Sequence, residues 1–125
     1  MKTYKLGTFE VMTEDYVINP SYKGRCNVTW DDYQFGMYRS LRDLKEDGWR
    51  VPSMEEALYL HKLHKEGLLG LQSSINEGKY LIQGKKFLNS RGFMIDEAMI
   101  INMAFGKSNT IDSHNLASLR LVRSI

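Results

Sequence analysis

Between Trp30 and Leu44 apolar residues recur at intervals of three and four. Trp30, Tyr33, Met37, Leu41 and Leu44 fall on one stripe, which predicts a helix. Thr29 and Asp32 have the spacing of a capping box at its start, although Asp is second to Glu at that position. Gly48 supplies the stop, because the left-handed conformation that ends a helix costs least at glycine. A second helix opens after Pro52, where Ser53-Met54-Glu55-Glu56 is a full capping box. Met54, Ala57, Leu58 and His61 share one face, Leu60 and Leu63 widen it, and the pattern fades near Glu66-Gly67.

The rest of the chain carries short strand signals. Residues 4–12 are rich in β-formers and break at Gly7; Tyr16-Val17-Ile18 is a second candidate, stopped by Asn19-Pro20, and Lys23-Gly24-Arg25 reads as a loop. In the second half the candidates are Tyr80-Leu81-Ile82, 98–105 and 118–123. Loop signals separate them at Gly84, Asn89-Ser90-Arg91-Gly92, 106–109 and 112–115. Along the last strand Leu119 and Leu121 alternate with Arg120 and Val122, so one face is apolar and the other mixed. Strands at both ends around two helices predict an α+β fold, two helices on a twisted antiparallel sheet that would close with the N- and C-terminal strands paired.

Composition narrows the function classes. The length of 125 residues suits a single domain, 1–125, and a hydrophobic fraction of 42% supplies one core without a disordered tail. Seventeen Lys and Arg against 15 Asp and Glu leave a charge of +2, which lacks the basic footprint of a nucleic-acid binder. Lys85-Lys86, and Lys62 with Lys65, read as solvated faces. Cys26 is the one cysteine, so no disulfide joins the chain to itself. Residues 1–5 lead into no apolar run, and no stretch approaches the about 18 apolar residues of a membrane span. The expectation is a soluble protein without a signal peptide, cytoplasmic or virion-associated. The sequon Asn27-Val28-Thr29 is then a chance match.

The segment Gly48-Trp49-Arg50-Val51-Pro52-Ser53-Met54-Glu55-Glu56 resembles the G-W-R-L-P-T-x-E-E signature of the Lcl C-terminal domain family. That family is named for a domain of the Legionella collagen-like adhesin and includes domains of Fibrobacter surface proteins. Val28-Thr29-Trp30-Asp31-Asp32 is similar to the family's first-helix opening, and Leu6-Gly7-Thr8-Phe9-Glu10-Val11 to its N-terminal strand. Met103-Ala104-Phe105-Gly106-Lys107 and Leu119-Arg120-Leu121-Val122-Arg123 are similar to its late turn and terminal strand. Tyr80-Leu81-Ile82-Gln83-Gly84 departs from the family's Y-W-S-S-T, lacking the Trp and both serines. The resemblance implies a C-type-lectin-like fold related to formylglycine-generating enzymes, whose R-L-P-T start is similar to Arg50-Val51-Pro52-Ser53.

The chemistry points to binding, not catalysis. Formylglycine-type oxidation needs a cysteine pair, and the chain has one cysteine. Trp30-Asp31-Asp32 is superficially similar to the W-N-D calcium motif of C-type lectins, but it opens a helix and its proline-containing partner motif is missing. Calcium takes six to eight oxygens, so no metal or cofactor is expected. His61 and His64, one turn apart, want a third ligand to hold zinc. Trp30, Trp49, Arg50, Pro52, Ser53 and Glu56 read as structural: Trp49 anchors the helices, and Arg50 pairs with Glu55 or Glu56 at the helix start. Loops on a rigid scaffold concentrate binding residues. The candidates are 83–92 and 106–115, with Lys85, Lys86, Phe87, Arg91, Lys107 and His114. The expected function is a non-catalytic recognition domain with a protein partner, in a phage or mobile-element protein that acts on a host protein or in a virion. The alternative is adhesion to a glycan or sulfated polysaccharide.

Overall fold

The computed structural model describes residues 2–18, 21, 26–75 and 77–125; the stop at Asn19-Pro20 and the loop at 23–25 lie outside them. Both helix starts follow the sequence. The Thr29 hydroxyl accepts the Asp32 N–H at 3.1 Å and the Asp32 carboxylate accepts the Thr29 N–H at 3.1 Å, which opens α1 (Trp30–Gln34). Ser53 and Glu56 close the same box, at 2.9 and 3.2 Å, for α3 (Met54–Lys65).

The single helix predicted from Trp30 to Leu44 is two. Gly36 adopts φ +59° and ends α1, and α2 restarts at Arg39–Glu46. A Cβ at Gly36 would lie 2.5 Å from Arg42 Cγ, so the turn needs glycine for its approach as well as its φ. Lys45 then caps α1 from α2. Its Nζ donates to the carbonyls of Tyr33 at 2.7 Å and Gln34 at 3.4 Å, two acceptors that a helix end leaves open. Trp30, Tyr33 and Leu41 keep their place in the core, while the break turns Met37 out to solvent. On α3 the buried residues are Ala57 and Leu60, and Leu58, expected on that face, is exposed.

Three sheets form. β1 (Thr3–Lys5), β2 (Phe9–Met12) and β8 (Val122–Ser124) make an antiparallel sheet in that order, so the terminal strands pair, with Phe9 opposite Ser124 and Val11 opposite Val122. β3 (Lys79–Ile82), β6 (Met99–Asn102) and β7 (Lys107–Thr110) make a second antiparallel sheet. β4 (Lys86–Leu88) and β5 (Met94–Asp96) form a separate two-stranded hairpin. The architecture is mixed α+β.

Several expectations change. The strand predicted over 98–105 ends at Asn102 and turns. The loop predicted at 106–109 is mostly β7, an edge strand whose polar Lys107, Ser108, Asn109 and Thr110 hide its pairing with β6. Tyr16-Val17-Ile18 contributes one isolated bridge, Tyr16 to Leu119.

The C-terminal segment is the hub. Residues 117–122 are all buried, and bridges run from Ala117 to Val28, Leu119 to Tyr16, Ser118 to Tyr80 and Val122 to Arg50. The mixed face expected at Arg120 is therefore not solvated: Arg120 is 5% exposed. Its Nε donates to Asp15 at 2.8 Å, and its other nitrogens donate to the carbonyls of Met12 at 3.2 Å and Gly70 at 2.7 Å. The Tyr80 hydroxyl donates to the same Asp15 carboxylate at 2.8 and 2.9 Å and accepts the Gln72 N–H. A buried guanidinium persists because its charge and donors are matched.

Candidate functional site

Trp49 is 4% exposed and lies beneath the Arg123 guanidinium, 4.6 Å from its ring centroid. Arg50 forms a bidentate pair with Glu56 at 2.7 and 3.0 Å and also donates to the Ser124 hydroxyl at 3.0 Å. The Pro52 carbonyl accepts the Gln83 N–H at 2.9 Å. The motif thus locks the start of α3 to β8 and to the end of β3.

Arg50's hydrogen bonds hold the Glu56 carboxyl below its ordinary pKa, against the opposing pull of partial burial, and Ser53 adds to the lowering. A carboxyl whose folded pKa lies below its unfolded value contributes stability above the unfolded value. That contribution is lost as pH falls through the folded one. Glu56→Gln is therefore expected to melt a few degrees below the parent at neutral pH, with the gap closing below about pH 4.3, the free carboxyl's range. Melting curves of both proteins from pH 7 to pH 3 test this. A gap that is absent at pH 7, or constant with pH, contradicts it.

The six candidate contact residues occupy three places. Lys85, Lys86, Phe87 and Arg91 belong to the β4–β5 hairpin or its root. Lys107 opens β7 in another sheet. His114 sits in the 112–116 loop, its Nδ1 3.2 Å from the Asp31 carboxylate, which also accepts the Ser113 hydroxyl at 3.2 Å. That loop docks on the start of α1. The structure does not gather the six into one surface, and the hairpin carries most of them.

The hairpin is held at both ends. Gly84 passes so close to Glu97 that a Cβ there would lie 1.6 Å from the Glu97 carbonyl, so only glycine fits. The Glu97 N–H donates to the Lys85 carbonyl at 2.9 Å. At the tip the Asn89 side chain accepts the N–H groups of Arg91 and Phe93 at 2.9 and 3.0 Å. Beside Arg91, Leu88, Phe93 and Met94 are each at least 60% exposed. These three lie inside or beside the segment 83–92, read from sequence as a loop, where single apolar residues carry no period.

A cleft of roughly 370 Å³ lies where the hairpin root meets the first two helices. Trp30, Tyr33, Gln34, Lys45, Gly84 and Lys86 line it, with Asp96. Lys86 and Asp96 stand opposite each other in register. Lys45 and Asp96 had no sequence signal, because the cleft draws its wall from three segments distant in the chain.

His64 Nδ1 accepts the Leu71 N–H at 3.2 Å. Among the described residues no group of three His, Cys, Asp or Glu side chains could hold a metal ion. Nor is any helix among them long and apolar enough to cross a membrane. Comparison with protein-family models, curated proteins and solved structures finds no match to this chain.

Proposed function

We propose that this chain is a non-catalytic recognition domain that binds a protein partner through its second-half loops, with the β4–β5 hairpin as the contact. The observation that carries the proposal is the hairpin tip, where Leu88, Phe93 and Met94 stay exposed around Arg91. Clustered apolar side chains left in water mark interaction surfaces, and apolar anchors beside an Arg are what hot spots use. A two-stranded hairpin outside the larger sheets is also marginal alone, and a partner would stabilise it.

The same proposal includes membership of the Lcl C-terminal domain family with a C-type-lectin-like fold. The pairing of β2 with β8 and the capped start of α3 behind Trp49-Arg50 support that part. It also includes a role inside a host cell or virion, as a phage or mobile-element protein, which rests on the sequence expectation alone.

The test is a triple variant, Leu88→Ser, Phe93→Ser and Met94→Ser. Its melting temperature is expected to match the parent, and capture of a stoichiometric protein partner from the native host is expected to disappear. Retained capture would move the contact elsewhere. Binding of heparin or arrayed glycans in place of a protein, lost on Lys85→Ala, Lys86→Ala and Arg91→Ala, would install the polysaccharide-adhesion reading.

A further inference from the structure

We propose that His61 is an acid-sensitive latch: while neutral it holds α3 against the turn between β6 and β7, and when it gains a proton it releases that turn. The proposal concerns a different surface from the hairpin tip and does not depend on it.

The latch is a close contact beside a sealed nitrogen. The His61 ring lies on the Gly106 backbone, where a Cβ would stand 2.6 Å from Cε1 and 2.8 Å from Nδ1. Gly106 has φ +70°, so the turn needs glycine for its conformation as well as for this approach. The ring is partly buried, and its Nε2 is buried with no hydrogen-bond partner among the described residues. A neutral imidazole can leave that nitrogen bare, whereas an imidazolium carries a proton on both nitrogens. The added N–H would be a charged donor in the interior without an acceptor, which disfavours the closed contact. Behind it Ala57 and Leu60 of α3 share an apolar cluster with Met103 of the turn, so release would uncover buried apolar surface.

The surroundings offer no counter-charge. Three and four residues away along α3 stand Ala57, Leu58, His64 and Lys65. Across the contact, residues 99–110 include no Asp or Glu, and Lys107 is their one charged side chain. Residues 67–75, which follow the helix, are uncharged. Burial first, then Lys65 and His64, push the His61 pKa below its ordinary value, and the Met103 backbone opposes them more weakly. A histidine whose folded pKa lies below its unfolded value of about 6.5 contributes its full stability above that pH. The contribution is lost as pH falls through the folded value.

The other two histidines have outlets for a proton. His64 Nδ1 lies 3.1 Å from the Leu69 carbonyl, which can accept from it. His114 is exposed, 3.2 Å from the Asp31 carboxylate. Among the described residues His61 is the one histidine with a buried ring nitrogen that lacks a partner.

NMR titration of the parent protein from about pH 8 to about pH 4.5, a window spanning the ordinary histidine value, follows the His61 imidazole and the Gly106 amide. The His61 midpoint is expected below the ordinary value of about 6.5, and the Gly106 amide is expected to shift reversibly with the same midpoint. Melting temperatures are compared over a narrower window, about pH 7.5 to about pH 5.5, which stays above the ordinary carboxylate range. There the parent is expected to lose a few degrees. His61→Phe keeps a flat ring at the contact without a titratable nitrogen, and its loss is expected to be clearly smaller. A His61 midpoint at or above 6.5 overturns the proposal, as does a Gly106 amide that does not follow it, or an equal loss in His61→Phe. If His61→Phe does not fold, the titration of the parent protein still decides.

Discussion

Arg120→Ala is expected to leave the chain molten or unfolded at room temperature. Arg120 and Asp15 form a buried pair whose side chains are 6% and 11% exposed, so truncating the Arg abandons a carboxylate in the interior. The loss spreads, because the Met12 and Gly70 carbonyls lose their donors too. Removing one partner of such a pair costs about 3–5 kcal/mol, a large part of the about 5–15 kcal/mol that holds a domain folded. Replacing both charges, as Asp15→Leu with Arg120→Met, is expected to recover part of the deficit, since no lone charge remains buried. Urea unfolding of the single and double variants measures the coupling. An Arg120→Ala midpoint close to the parent's would mean that the network contributes little to stability.

Trp49→Ala is the second large effect. The indole is buried in the cluster that holds Trp30, Tyr33, Leu41, Val51, Leu119 and Leu121, and it supports the Arg123 guanidinium from below. Truncating a large core aromatic to Ala costs about 3–5 kcal/mol through lost burial and the cavity left behind. The expected outcome is loss of the cooperative thermal transition, with Trp49→Phe intermediate. A melting midpoint unchanged in Trp49→Ala would show that the indole is not a core anchor.

The contact residues were only half legible. Lys86 was named from its loop and does line the cleft, but Lys107 and His114 fall on other elements. Lys45 carried no sequence signal. Nothing along the chain marks that its amine folds back on Tyr33, 12 residues earlier.

Features governed by neighbours in the chain were determined by sequence alone. The capping boxes at Thr29 and Ser53 and the stop at Gly48 are interactions across three or four residues, so their residue types suffice. The mixed α+β class followed from the order of the elements, whereas the pairing of the terminal strands was what the family resemblance implied. Tertiary structure decided what depends on distant partners. It split the first helix at Gly36 by packing Arg42 against the turn, although the apolar period ran straight across. It made a strand of the polar segment at Lys107–Thr110, because an edge needs a neighbour more than a hydrophobic face. It also buried Arg120, whose charge is matched only when Asp15, 105 residues away, and the Gly70 carbonyl, 50 away, arrive at the same place. A short-range pattern cannot encode such a match, since the energy of a buried charge is set by what surrounds it in space.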